Sequence, residues 1–416
     1  MQNLLINLFS SFFKKPLKIG IISYYYPLDS ATSSGVGTHV YYLVENLAKL
    51  GCEVHVFSYG LKDRVIKTKV GDGKKIIHLL NASSGFVIQD SVVSKRLRYA
   101  VFENRVLNAV TYENYSKKHF DIIHTHGWLT SAAFMLKHFH NFNWVHTFHA
   151  LERKRLKSMT KDEKKFYNIT SWIEDTIIDA DRLIAVSDSL RSDVLKTFKK
   201  VSKKTVTISN GVDLRLFSPK SNLPLTVLYI GRFSKEKGIH LIPRLVEDVL
   251  GKSKKYKFIV VAPKNVLPEL EDIQKRLNSF KEKYPNQFTL ISEPLMKEDL
   301  SKIYKGSGIY IQPSNYESFG LCILEAMASG NAVVATRVGG IPEVVGNAGI
   351  LTNLDSKEIS KKILKLLKNR NMRKKYSKLA IERSKRFSWE SVAKKILDLY
   401  KEIISEKENI KLSGKI

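Results

Sequence analysis

Three times in this 416-residue chain a short apolar run ends in a small-residue turn and passes directly into a helical pattern. The first run is Lys18-Ile-Gly-Ile-Ile-Ser23. It is followed by a loop carrying Tyr and Pro, then by Ser33-Ser-Gly-Val-Gly-Thr-His39 entering a helix from Val40 to Leu50. Gly51 is placed to cap that helix ahead of a strand from Cys52 to Ser58. The second run is Leu225-Thr-Val-Leu-Tyr-Ile230, with the turn Gly231-Arg-Phe-Ser-Lys-Glu-Lys-Gly238 and a helix beginning near Ile239. The third is Ser307-Gly-Ile-Tyr-Ile-Gln-Pro-Ser-Asn315, leading through Glu317 to a helix from Leu321 to Ala328 closed by Gly330. Strands with no polar alternation are expected to be covered on both faces, and the strand-loop-helix-strand order is that of doubly wound parallel sheets. The length exceeds what one core usually spans, so two α/β domains are expected. Their boundary falls in the loop-like Ser209-Asn-Gly-Val-Asp-Leu-Arg-Leu-Phe-Ser-Pro219, with a first domain over 17–213 and a second over 214–387. Further strands are expected at Lys257 to Ala262, Gln287 to Ser292 and Ala332 to Thr336, and a helix at Pro268 to Lys283.

The third block, Glu317-Ser-Phe-Gly-Leu-Cys-Ile-Leu-Glu325, sets two carboxylates on either side of a helix start. Glu317 lies in the loop and Glu325 about one turn into the helix. The amides of Ser318, Phe319 and Gly320 are donors at the positive helix end, which makes an anion site flanked by carboxylates. The second block delivers two cations, Arg232 and Lys237, to the carboxyl edge of a sheet, where open α/β folds bind ligands. Taken singly, each feature has a plainer reading: a Glu stabilised by a helix dipole, an exposed helical Glu, solvated loop cations.

Together the two blocks resemble the Gly-Arg-x4-Lys-Gly and Glu-x7-Glu signatures of the family 4 glycosyltransferases, and the likeness covers most of Lys18 to Tyr400. The resemblance implies a GT-B architecture, two Rossmann-like domains facing across a cleft, and a retaining hexosyl transfer from a nucleoside diphosphate sugar to an acceptor hydroxyl. It implies that Arg232 and Lys237, with Gly231, grip the donor diphosphate. Glu317 and the Ser318 to Gly320 amides would hold the sugar and phosphate, and Glu325 the ribose. Gly35 matches the second glycine of the family's Gly-Gly-Val turn near the phosphates, while Ser34 stands where the first would be. A His at the end of an apolar strand beside the donor sugar maps best to His149. The leaving phosphate itself would help deprotonate the incoming hydroxyl. The terminal helix, about 388–416 and opened by Phe387-Ser-Trp-Glu-Ser391, would cross back to the first domain. No cofactor and no metal are expected; the donor is a nucleotide sugar, with UDP ahead of GDP or ADP. The acceptor, whether glycan, lipid or polyol, is not legible.

Seven of the eleven histidines lie between His119 and His149, but His124, His126, His146 and His149 fall at strand ends, without the helical spacing and acidic partner of a metal site. Asp179-Ala-Asp181 imitates a metal-binding pair yet sits at a helix-to-strand junction and is read as structural. The two cysteines, Cys52 and Cys322, fall in different domains, which fits a reduced, cytoplasmic setting. No run of about 18 apolar residues is present to span a bilayer. Residues 1–16 place Leu5, Leu8, Phe9 and Phe12 at helical spacing ahead of Lys14 and Lys15, either as an amphipathic membrane-surface helix or as a packing extension. The formal charge is +29, and 13 basic against 2 acidic residues lie between Lys357 and Arg386. Such an excess favours an anionic membrane surface or a phosphorylated acceptor. A non-enzymatic nucleic-acid binder is the reading from a different class, but no nucleic-acid module and no interleaved aromatic platform accompanies the basic helices. Within the same fold, a sugar-nucleotide epimerase or a glucan synthase or phosphorylase is the alternative. A phosphorylase would require a lysine-bound pyridoxal phosphate, for which no specific signal exists.

Overall fold

The computed structural model describes residues 15–28, 34–82, 91–116, 119–127, 131–140, 142–156, 161–219, 222–263 and 268–413. The apolar segment at the start of the chain, with Leu5, Leu8, Phe9 and Phe12, lies outside them. The apolar runs become strands of two sheets. In the first, β1 (Lys18–Ser23), β2 (Glu53–Gly60), β3 (Arg64–Val70), β4 (Gly73–Asn81), β5 (Ile122–His126), β6 (Asn143–Phe148), β7 (Arg182–Ala185) and β8 (Thr205–Thr207) stand in the order β3-β4-β2-β1-β5-β6-β7-β8. The second contains β9 (Thr226–Ile230), β10 (Lys257–Val261), β11 (Phe288–Ile291), β12 (Ile309–Gln312), β13 (Ala332–Thr336) and β14 (Ile350–Thr352) in the order β11-β10-β9-β12-β13-β14. Every pairing is parallel except β3 with β4. Strands β1, β5, β6, β9, β12 and β13 are buried along their whole length, as helices on both faces require. The edge strand β3 is instead mostly exposed, and its Arg64, Lys67 and Lys69 discourage pairing with another chain.

One hydrophobic cluster runs from Phe57 and Trp144 of the first sheet to Leu228, Tyr310 and Phe319 of the second, so apolar packing continues between them. A second fills the far face of the second sheet around Tyr229 and Phe258. A third joins β1 and the helix Gly35–Lys49 to the terminal helix Trp389–Leu412 through Val40, Leu43, Trp389 and Tyr400. Trp389 stacks on Tyr42 with ring centroids 5.3 Å apart, and Ser388 Oγ accepts the Ser391 amide at the helix start. Among the described residues no helix is long and apolar enough to cross a membrane.

Two expected helix starts move. The first-domain helix begins at Gly35, not Val40, because Ser34 takes an extended conformation and its hydroxyl accepts the Gly37 amide as an N-cap. Near Ile239 only a single 3-10 turn, Ile239–Leu241, forms, and the α-helix is Ile242–Leu250. Pro243, in the first turn, fixes that later start because it has no amide hydrogen to give to a preceding turn.

Candidate active site

Both sheets reverse direction at a central strand. The chain builds outward from β1 to β2, then returns to place β5 on the other side of β1. It builds from β9 to β10 and β11, then returns to place β12 beside β9. The crevice beyond the carboxyl ends at such a switch point is where a ligand can reach loops from two adjacent strands. In the second sheet those two loops are Gly231 to Gly238, after β9, and Pro313 to Gly320, after β12. Facing them across the cleft are the loop after β1, the start of the helix Gly35–Lys49, Gly127 after β5 and His149 after β6. The cleft between them has a volume of about 870 Å³ and is lined by Gly35, His149, Gly231, Arg232, Lys237, Glu317, Ser318, Phe319, Gly320 and Glu325.

A chain of ion pairs runs through this cleft. Lys237 Nζ donates to Glu317 Oε2 at 2.8 Å and lies 3.5 Å from Glu236 Oε1. Arg232 Nη2 donates to Glu236 Oε1 at 2.7 Å. From the first domain, Arg155 donates through Nε and Nη2 to Glu236 Oε2 at 3.0 and 2.9 Å, and through Nη1 to the Glu152 carboxylate at 2.8 and 2.9 Å. Burial works to raise the Glu236 pKa, but Lys237, Arg232 and Arg155 outweigh it and hold the carboxyl at about 2. Glu236 thereby fixes both cations of the Gly-Arg-x4-Lys-Gly block. Neither Glu236 nor Arg155 stands out in the sequence, and they are 81 positions apart.

Tight backbone contacts set the loops. A Cβ on Gly238, whose φ is +75°, would stand 1.8 Å from the Pro313 carbonyl oxygen, so only glycine lets the two second-domain loops touch here. A Cβ on Gly339, with φ +52°, would likewise meet the Glu317 carbonyl oxygen at 1.8 Å, and the Gly340 amide donates to that oxygen at 2.9 Å. The Gly339-Gly340 turn is thus the seat of Glu317, and the motif reading missed it.

The remaining site residues fall into distinct environments. Glu325 is buried, its Oε2 accepting from Tyr304 Oη at 3.0 Å and its Oε1 from Lys297 Nζ at 2.5 Å. Ser318 spans the domains: its hydroxyl donates to the His149 carbonyl at 2.5 Å, and its own carbonyl accepts from Ser187 Oγ at 2.6 Å. Glu343 adds to this link by accepting the Asp188 and Ser189 amides, both at 2.7 Å, at the positive end of the helix Asp188–Thr197. The Phe319 ring is buried against Phe387, 6.0 Å between centroids, so this residue can offer the site only its backbone. Gly35 occupies the first turn of a 15-residue helix whose amino end opens on the cleft, the dipole arrangement that suits an anion.

His149 joins His39 and His126 in a cluster that no sequence spacing indicates. One nitrogen from each lies within 4.8 Å of the others. His126 Nδ1 and His149 Nε2 are 3.1 Å apart, and His39 Nδ1 pairs with Asn210 Oδ1 at 2.7 Å. Burial, then the neighbouring His39, His146 and His124, hold the His149 imidazole neutral far below the ordinary range. Burial also lowers His39 to about 4, against the Asn210 bond. These three nitrogens, and His55, His78 and Glu113 elsewhere in the first domain, are the described groups close enough to share a cation. Asp181 accepts the Trp144 amide at 2.7 Å and pairs with Lys137 at 3.0 Å, a structural use. Cys52 and Cys322 are free thiols.

Comparison with known proteins gives the family and the fold. A family model described as "Glycosyltransferase Family 4" matches residues 33–216, and one described as "Glycosyl transferases group 1" matches residues 215–383. A D-inositol 3-phosphate glycosyltransferase of Corynebacterium urealyticum is 26% identical over 93% of this chain and 96% of its own. An alpha-maltose-1-phosphate synthase of Mycolicibacterium smegmatis is 27% identical over 93% of this chain and all of its own, 100%. Among solved structures, sucrose-phosphate synthase from Thermosynechococcus elongatus superposes with a TM-score of 0.75 at 24% identity, covering 94% of this chain and 100% of that one.

Proposed function

The chain belongs to the family 4 glycosyltransferases, has the GT-B fold and is a glycosyltransferase, and on that premise we propose a retaining, metal-independent transfer of a hexose from a nucleoside diphosphate sugar to an acceptor hydroxyl. The observation that carries the reading is the meeting of Arg232, Lys237 and Glu317 at the β9/β12 switch point, opposite the amino end of the helix Gly35–Lys49. In this reading Arg232, Lys237 and the amides around Gly35 and Gly231 neutralise the diphosphate as it departs, when their contribution is largest. Glu317 and the backbone of Ser318, Phe319 and Gly320 orient the sugar. Glu325, presented by its bonds to Tyr304 and Lys297, receives the ribose hydroxyls.

His149, neutral and beside the sugar, acts as a hydrogen-bond partner rather than a fixed positive charge. The departing phosphate oxygen takes the acceptor proton, which gives no side chain the role of nucleophile. No cofactor takes part, and UDP is the expected donor base. The names of the two relatives favour a polyol or sugar as acceptor. The enzyme works in the cytoplasm, with reversible attachment to an anionic membrane surface.

The test is a panel of UDP, GDP and ADP sugars scored for thermal shift and for donor hydrolysis. One base is expected to stand out in both. If no nucleotide sugar shifts the melting temperature or is hydrolysed, the reading fails.

A further inference from the structure

Resting on that reading, we infer that the acceptor is an uncharged saccharide, held by stacking on a tyrosine wall built from Tyr24, Tyr25 and Tyr99. These three residues line the first-domain side of the cleft. Tyr24 is the keystone. Its ring stacks on Tyr59 at 5.0 Å and meets Phe102 edge-on at 5.2 Å from behind, while Tyr25 and Tyr99 stand against it at 5.1 and 4.8 Å. The backbone is pinned as well: Ser58 Oγ donates to the Tyr24 carbonyl at 3.2 Å and Ser23 Oγ to the Tyr25 carbonyl at 3.0 Å. Tyr25 remains 43% exposed, an unusual amount for an aromatic ring so firmly backed. Burial, then Tyr59 and Tyr25, push the Tyr24 hydroxyl up to about 12, so it stays protonated and able to donate. A pyranose offers apolar C–H faces bordered by hydroxyls, and a rigid aromatic face with hydroxyls at its rim complements both.

Charge supplies the second, independent argument. Although the chain as a whole is strongly basic, the described lining of the cleft carries more acid than base. Six carboxylates, Glu152, Asp213, Glu236, Glu298, Glu317 and Glu325, face four cations. Two of the cations, Arg232 and Lys237, serve the donor diphosphate, and Lys297 is bonded to Glu325. Arg155, the one cation of the described first-domain lining, is held between Glu152 and Glu236. Arg98 acts on Tyr24 and Tyr99 from outside the lining. A phosphorylated acceptor entering beside the donor would need a fixed cation of its own to offset its desolvation. Each of the four cations in the described lining already has a carboxylate partner. This separates the chain from relatives named for a phosphorylated polyol or sugar.

The experiment measures transfer from the intact nucleotide sugar that the hydrolysis panel selects to methyl α-glucoside, maltose and maltotriose, against glucose 1-phosphate, glucose 6-phosphate and inositol 3-phosphate. Saturation-transfer NMR of the same compounds with enzyme and UDP reports binding. The neutral saccharides are expected to show the higher kcat/KM and to receive saturation on their ring protons. Tyr25→Ala should raise acceptor KM about tenfold more than donor KM, the size of one lost aromatic contact, and Tyr25→Phe should recover most of it. Preference for the phosphorylated compounds, absence of saccharide binding, or a Tyr25→Ala acceptor KM within twofold of wild type would overturn the inference. Failure to hydrolyse or bind any nucleotide sugar would instead overturn the glycosyltransferase reading beneath it.

Discussion

Lys237→Ala removes the side chain that bonds Glu317 and lies beside Glu236 in the proposed donor site, and its effects on stability and on rate can be separated. In the protein its ammonium lies 2.8 Å from Glu317 and 3.5 Å from Glu236, with the side chain 17% exposed. Glu236 keeps Arg232 and Arg155 after the substitution, so it stays compensated. Glu317 loses its cation while 13% exposed, which costs about 1–3 kcal/mol of stability as an imperfectly satisfied polar group. The larger effect is expected on the reaction. A fixed charge that meets developing phosphate charge contributes about 3–4 kcal/mol in the transition state, a loss of roughly 10²- to 10³-fold in rate. The variant should therefore melt several degrees below wild type yet remain folded, while nucleoside diphosphate release falls at least a hundredfold. Glu317→Gln, which keeps the cation and removes its partner, should lose less stability than Lys237→Ala. A folded Lys237→Ala enzyme within tenfold of wild-type turnover would refute the assignment of Lys237 to the donor.

Two further outcomes follow from the site. EDTA is expected to leave transfer intact if, as proposed, Arg232 and Lys237 neutralise the leaving diphosphate in place of a divalent ion; complete loss with rescue by manganese or magnesium would refute this and would point to the nitrogens of His39, His126 and His149. Acid should destabilise the fold through the same histidine region: burial lowers His39 to about 4 and His146 to about 3, so below pH 6.5 the unfolded chain binds protons that the folded chain refuses, and stability falls as pH falls. At pH 5 these two residues together cost about 4 kcal/mol relative to pH 7, and urea midpoints equal at pH 5 and pH 7 would contradict their burial.

What could be read from the sequence is what depends on neighbours along the chain. Ala332–Thr336 and Thr226–Ile230 show as strands because a parallel strand with both faces covered has no reason to alternate. Gly51, with φ +87°, ends the helix Gly35–Lys49 as a left-handed glycine should. The Ser34 cap and Pro243 were equally available signals, and the apolar patterns beginning at Val40 and Ile239 concealed them. Strand β3 is harder to see, since an exposed edge needs charge where a buried strand needs apolar residues. That Glu317, Arg232 and Lys237 line one cleft was legible because their motifs are contiguous. Arg155 reaching Glu236, Gly339 beneath Glu317, and His39 entering the histidine cluster were not, because each is a contact the fold creates between residues with no common local pattern.

The basic excess needs its own account, because the cleft does not contain it. Of the 13 basic residues between Lys357 and Arg386, two are used internally: Arg373 donates to the carbonyls of Leu366, Leu367 and Leu223, and Arg383 to those of Glu343 and Val344. Lys357, Lys361, Lys365, Lys368, Arg370, Lys374, Lys375, Lys378, Lys385 and Arg386 are exposed on the helices Ser356–Lys368 and Arg370–Ser384 and the turn that follows. Paired surface charges would contribute little and gain nothing from so large an imbalance, whereas unpaired ones near an anionic leaflet each contribute about 1 kcal/mol that salt screens. The apolar residues among positions 1–15 would add a hydrophobic component that is too weak to anchor the protein alone. Full-length protein is therefore expected to co-sediment with vesicles containing phosphatidylserine at low salt, to be released by high salt, and to bind more weakly when residues 1–15 are deleted or when Lys374, Lys375 and Lys378 are changed to Glu. Protein that remains in the supernatant with those vesicles at low salt would refute membrane attachment and leave the surface charge to steer the anionic donor toward a cleft whose described lining is itself slightly acidic.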